Sequence, residues 1–224
     1  MIELIFALVI MGVVFITLPL ILINDSTNVE RNLMQEAIFA SSTKVGQILT
    51  FPWDENSPDP AVTLTASNAL RTTGGDNELD RNLTTDFRVG HVPQPLHRRL
   101  TPNTAERFAT NALGAEAGGI FDIDDFDGDT NVDLIAATGT EGYKKIYRVT
   151  TTVDYLNDNT NYAASSINFT FDTLAAVPAN PSNIKMITLS TDQNNSDGWS
   201  ALPILQLRSF SANIGEPDFY KRTY

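Results

Sequence analysis

The sequence predicts an α+β chain: one long N-terminal α-helix, with a membrane half and an amphipathic half, packed on a C-terminal antiparallel β-sheet head. Three observations predict it. The run from Met1 to Ile23 is apolar, apolar residues recur at helical spacing from Val29 to Leu49, and period-two alternation sets in after residue 143. At 224 residues the chain can bury a sizeable core as one domain or two small ones.

The first element is MIELIFALVIMGVVFITLPLILI, long enough to span a bilayer and carrying one charge, Glu3. It shows no basic flank, short apolar core or small-residue cleavage site of a secretory signal, and so reads as a retained anchor. An ionised carboxylate at membrane depth costs several kcal/mol unless paired, so Glu3 is a functional position that calls for a cation. Gly12 and Pro19 weaken the helix, Pro19 because it has no N–H to donate and its ring crowds the preceding turn.

Next, Asn24-Asp25-Ser26-Thr27 is a cluster of turn and cap formers, and Thr27-Asn28-Val29-Glu30 reads as a capping box that opens a second helix after a break. Residues 26–51 form the amphipathic half, with Val29, Leu33, Ala37, Val45 and Leu49 on one stripe and Met34, Ile38 and Ile48 beside it. That helix should end before Pro52. Residues 52–142 read as a loop-rich insert with a short strand over 60–66 and a short helix over 104–115, and Trp53 as a packing anchor. Residues 143–224 form the sheet head, with strands over 145–155, 166–173, 184–190 and 203–210. Tyr147, Val149, Val153 and Tyr155 face the core against Arg148, Thr150, Thr152 and Asp154, and sequential pairing in a meander is the simplest topology.

Met1 to Gly12, MIELIFALVIMG, resembles the N-terminal methylation signature of type IV pilins and the related type II secretion pseudopilins: apolar residues, a Glu, then a long apolar helix. The likeness covers residues 1–25 specifically and the plan of anchor, helix and β-rich head loosely. It implies a pilin-like fold whose residues 1–25 are a membrane span in the precursor and a filament core after assembly. It also implies a prepilin peptidase that removes a basic leader, a methylated N-terminus just upstream of Met1, and assembly by pilus or type II secretion machinery. Glu3 matches the family Glu that neutralises the N-terminal amine of a neighbouring subunit. Gly12 and Pro19 match positions between which such helices melt in the filament. The precursor would sit in the inner membrane, and the product would be an extracellular filament or a periplasmic pseudopilus.

Composition narrows the remaining classes. Fifteen basic against twenty-seven acidic residues give a net charge of -12, so no basic patch is offered to nucleic acid. The absence of cysteine removes disulfides, thiolate nucleophiles and Cys-ligated metals. The two histidines, His91 and His97, share one Pro-rich loop and give little material for catalysis; no Ser-His-Asp arrangement, P-loop or dinucleotide fingerprint is present, and the chain reads as a non-enzyme. The sharpest local motif is Asp125-Phe126-Asp127-Gly128-Asp129-Thr130-Asn131-Val132-Asp133. Alternating hard oxygen donors suit a structural calcium ion held by Asp125, Asp127, Asp129, Asn131 and Asp133. The motif is similar to integrin-type FG-GAP calcium loops, but Thr130 stands where a turn Gly is usual and the EF-hand's closing Glu is missing. An acidic surface turn is the alternative, with Asp122 and Asp124 solvated or supporting. Asn82 and Asn194 lie in extended acidic sequons that some bacterial oligosaccharyltransferases use, against a chance match in an Asp- and Asn-rich chain.

These readings converge on a major pilin that polymerises through its N-terminal helix with copies of itself. The alternatives are a type II secretion pseudopilin and a membrane-tethered calcium-dependent adhesion or binding module that never polymerises. Retention of Glu3 argues against a tip-type pseudopilin, which lacks this acid.

Overall fold

Among the described residues one α-helix, α1 (Ile2–Ile48), runs unbroken for 47 residues and precedes an antiparallel sheet, an α+β arrangement. The expected break at Asn24–Thr27 is therefore corrected. Each further residue of a helix gains a hydrogen bond, whereas a restart needs a costly nucleus, so the cap formers are carried through in mid-helix. The helix also passes through Pro19, whose position forfeits one backbone hydrogen bond at a cost of about 3 kcal/mol. Just before it, the Thr17 hydroxyl donates to the Val13 carbonyl at 2.9 Å, a back-bond of the kind that bends helices. The computed structural model describes residues 2–58, 68–74, 107–110, 112–116, 119–129, 132–134, 147–156, 164–166, 180–195, 198–199 and 203–215, the side chains of 18–20, 22, 26–27, 132–134, 194–195 and 198–199 lying outside that set.

The C-terminal quarter of α1 buries Ala37, Ala40, Ser41, Lys44, Val45 and Ile48, positions that recur at three and four residues and so share one face. This stripe is rotated from the expected one. Ala37, Val45 and Ile48 are on it, Leu33 is half-buried, and Val29, Met34, Ile38 and Leu49 face outward. The small side chains of Ala37, Ala40 and Ser41 let the helix backbone approach the sheet closely, which a stripe of larger residues would prevent. Ser41 Oγ and Thr191 Oγ1 share a hydrogen bond of 2.7 Å across the seam.

The sheet contains β1 (Val132–Leu134), β2 (Tyr147–Tyr155), β3 (Ile184–Asn195), β4 (Gly198–Trp199) and β5 (Leu205–Ala212), antiparallel throughout. Strand β3 is the centre: β2 pairs with it on one side, with Thr150 opposite Ser190, and β5 on the other, with Leu189 opposite Leu207. The simple meander is thus corrected, because β2 pairs directly with β3 and both sides of β3 are taken. The expected strand over 166–173 does not lie between them, and residues 167–173 are outside the described residues. Period two holds in β2, where Tyr147, Val149, Thr151, Val153 and Tyr155 are all buried. The main core joins Val45 and Ile48 of α1 to Val149, Val153, Ile187 and Leu189 of the sheet and to Ile123 and Phe126.

A second cluster holds Trp53, Leu70, Ala109 and Tyr155, so Trp53 is the packing anchor expected of it. It pins the insert to the sheet. The expected helix over 104–115 is corrected: among its described residues, Phe108 forms a parallel bridge with Arg71, through Arg71 N–H to the Arg107 carbonyl and Ala109 N–H to the Arg71 carbonyl. Burial of Ala109 and donation from Arg107 Nη1 to the carbonyls of Asn56 and Pro58 outweigh the local helical preference. The expected strand over 60–66, with Asn82, His91 and His97, lies outside the described residues.

Candidate functional site

Two features of the fold demand a chemical explanation, and they sit at opposite ends of α1. At the N-terminal end the large apolar side chains described between Ile2 and Ile23 are 44–72% exposed, on all sides of the helix. Each such side chain gains about 1.5–3 kcal/mol when fully buried, so this segment is under strong drive to be covered. Glu3 lies in the first turn of this helix, exposed, and a Cβ at Gly12 would meet nothing within 4 Å. Gly12 thus serves no packing role within one chain. Among the described residues no helix is long and apolar enough to cross a membrane.

At the other end, the alternating carboxylates fold into a 3₁₀ turn, Asp124–Phe126, followed by Gly128 at φ 73°, a left-handed conformation that favours glycine. Gly128 N–H donates to the Thr151 carbonyl and Thr151 N–H to the Asp129 carbonyl, stitching the loop to β2. Each described carboxylate of the motif is spent on a protein partner. Asp125 accepts the backbone N–H groups of Glu116, Phe121 and Asp122. Asp127 accepts the Val153 N–H at 2.9 Å, and Asp129 accepts Lys44 Nζ at 3.0 Å. Burial works to raise the Asp125 carboxyl, but those backbone donors and Glu116 outweigh it and hold it below the ordinary carboxylate range. An ion bound by these three side chains would compete with Lys44 and with the amides of Glu116, Phe121, Asp122 and Val153 for carboxylate oxygens. Asp133 lies in β1 opposite Arg148, its side chain outside the described set together with Asn131; Asn194 lies in β3 opposite Trp199.

The acidic groups that do come together are not ones that spacing singles out. Asp54, Glu55 and Asp122 each place a carboxylate oxygen within 4.8 Å of the others, and Asp54 and Asp122 are fully buried. Beside them lies Lys185, also with no exposed surface. Its ammonium donates to the Trp53 carbonyl at 2.6 Å and to Asp124 Oδ1, stands 3.9 Å from Asp54 Oδ2, and sits 4.5 Å and 5.5 Å from the ring centroids of Trp53 and Tyr155. Solvation of Asp122 and Asp124, expected from sequence, is thereby corrected: both are interior, because burying Lys185 without ruinous desolvation requires bringing carboxylates in with it.

The protonation of this centre follows from its burial. Loss of water pushes Asp122 up to about 9, with the Lys185 ammonium pulling down and the charge and hydrogen bond of Asp124 pushing further up. Asp54 is pushed up to about 6 by burial, restrained by Lys185 and by the N–H groups of Thr110 and Asn56. Asp122 Oδ1 accepts the N–H groups of Asp124 and Asp125, while Asp122 Oδ2 and Asp124 Oδ2 have no donor among the described residues. The trio can hold a cation in principle, but Lys185 already supplies a positive charge there.

The sequence signal that points to this centre is parity. Lys185 is in phase with Ile187 and Leu189 on β3, so among the described residues it is the one charged side chain on the inward face of a core strand. No protein-family model, curated protein or solved structure matches the chain.

Proposed function

We propose that the chain is a pilin-like structural subunit, a major pilin whose N-terminal helix leaves the inner membrane and bundles with the helices of other copies into an open filament. The observation that carries this reading is the apolar surface presented all round α1 from Ile2 to Ile23, on a helix whose far end is already anchored to a folded head. Lipid covers that surface in the precursor and neighbouring helices cover it in the assembly. Heterologous contacts of this kind do not close on themselves and so propagate as a filament. Glu3, in the same surface, sets axial register by meeting the N-terminal amine of the next copy, which removes the cost of burying its charge.

The test is to shear cells, collect the high-speed pellet, and examine it by electron microscopy and by mass spectrometry for this chain and its N-terminus. Filaments dominated by the chain, lost on Glu3→Ala with the membrane-fraction level unchanged, are the expected result. Retention in the inner membrane with no sheared filaments, for both wild type and Glu3→Ala, would favour the non-polymerising tether. A short periplasmic assembly that depends on Glu3 would favour the pseudopilin.

A further inference from the structure

We propose that Lys185 and Asp124 condense to an intramolecular isopeptide bond that crosslinks β3 to the turn preceding β1, with Asp122 as the acid that shuttles protons. The crosslink joins residues 61 apart in sequence and is independent of whether the chain polymerises.

The geometry carries it. Lys185 Nζ touches Asp124 Oδ1, and the two side chains are 0% and 1% exposed. The amine is held from other sides by the Trp53 carbonyl and by the faces of Trp53 and Tyr155, so it has little freedom to turn away from the carboxyl. Amide formation from an amine and an acid is opposed by bulk water and slow between free partners. A dry site removes the first obstacle, and fixed contact removes the second, with effective molarities of about 10⁵–10⁸ M for well-oriented groups. The charged groups that face Nζ are Asp124 and Asp54, with Asp122 and Glu55 behind them. Of these, Asp122 is tied to Asp124 through the backbone, its Oδ1 accepting the Asp124 N–H at 2.8 Å, and each of the pair has an oxygen with no described donor.

The step balances without a co-reactant. The Lys185 ammonium passes a proton to the Asp124 carboxylate, giving a neutral amine against a neutral acid, the less costly pair in a buried site. The nitrogen lone pair attacks Asp124 Cγ. Asp122 protonates the oxygen that leaves, the Cγ–O bond breaks and one water is released. The nitrogen then returns its surplus proton to Asp122, which ends as it began. Ammonium and carboxylate have become amide and water, and the new amide N–H remains directed at the Trp53 carbonyl. The head contains no cysteine, and this bond would clamp its insert to its central strand as a disulfide does elsewhere.

Lys44 and Asp129 provide an internal control, a pair at 3.0 Å whose side chains are 8% and 15% exposed and reach water. The experiment is tryptic peptide mapping of the purified full-length chain after denaturation, with acetic anhydride labelling of free amines. The expected result is one branched peptide joining the Asp124 and Lys185 segments, lighter by one water than their sum, no cleavage after Lys185, and no acetyl group on it while Lys44 is labelled. Cleavage and labelling at Lys185 equal to those at Lys44 would overturn the proposal. So would loss of water with Lys185 free, which marks a succinimide at Asp127-Gly128. Asp122→Asn, checked for native circular dichroism, should accumulate as the uncrosslinked chain, and Asp122→Glu should restore the bond. A fully crosslinked Asp122→Asn chain would remove Asp122 from the reaction, and the wild-type map decides the bond itself even where the variant fails to fold.

Discussion

The two ends of α1 belong to one hydrogen-bonded helix, yet their surroundings are opposite. From Ala37 to Ile48 the side chains divide into a buried stripe and a wet face, and the buried stripe carries Ser41 and Lys44 among the apolar residues. Among the described side chains from Ile2 to Ile23 there is no such division, and the apolar ones are exposed on all sides of the helix. The difference teaches that helix formation and helix burial are separate questions. Backbone hydrogen bonds carry the helix through Asn24–Thr27 and Pro19, while the side chains alone decide that one end packs on a folded head and the other presents apolar surface outward.

The largest effect expected from breaking this contrast is on assembly. Ile10→Lys places a charge in the exposed apolar surface, where it has no fold to disrupt. On the proposed assembly, filaments should vanish from the sheared fraction while the thermal midpoint of the detergent-solubilised chain moves by about 1 °C or less, within the range of surface substitutions. A large fall in that midpoint would mean that the N-terminal half packs on the head after all. The converse substitution lies in the head: Ile187→Ala empties a fully buried position on the central strand and should cost about 2–5 kcal/mol in a denaturant titration.

The sequence shows this contrast in outline and loses it in detail, for identifiable reasons. The apolar run, the strand phase of β2 and the end of α1 before Pro52 are legible because each depends on periodicity over several residues or on a strong breaker. The unbroken helix is not, since local cap chemistry at Asn24–Thr27 competes with a propagation term that only the whole helix expresses. The direct pairing of β2 with β3 is a choice among distant partners that alternation cannot rank. At the buried centre, the alternation of Asp125, Asp127 and Asp129 suggests one ligand sphere, yet their partners include Asp122, Val153 and Lys44 on different elements. Lys185, Asp54 and Asp124 meet only through tertiary structure, and the inward phase of Lys185 is the sole trace of it in the sequence.

A smaller effect sharpens the boundary on α1 where the helix docks through charge. Lys44 bonds Asp129 at 3.0 Å and lies 4.8 Å from the Phe126 ring centroid. Lys44→Met keeps the stem's packing and removes the ammonium from the Asp129 carboxylate, so the head should lose about 1 kcal/mol, the upper end for a pair that reaches water. Adding Asp129→Leu should recover part of that loss, because the carboxylate that lost its ammonium is then gone. Equal stability of the single and double variants would show that the pair contributes packing alone.

The smallest effect is a pH dependence on the outer side of β2. Burial, and the charge of Asp127 beside it, raise the Asp154 carboxyl above its ordinary 3.8. The folded state then binds this proton more tightly than the unfolded chain does. Below 3.8 both states hold it and nothing is lost; as pH rises from 3.8 through the higher folded value, the unfolded chain ionises first and folding stability falls. Asp154→Asn removes the titration, so the variant should match wild type in acid and exceed it at neutral pH. Because the site is half-buried and screened by solvent, the gain should be about 0.2–0.5 kcal/mol. Denaturant titrations at acid and neutral pH measure it. A variant less stable than wild type at neutral pH, or one whose advantage does not change with pH, would show that Asp154 is held by a favourable partner rather than strained by Asp127.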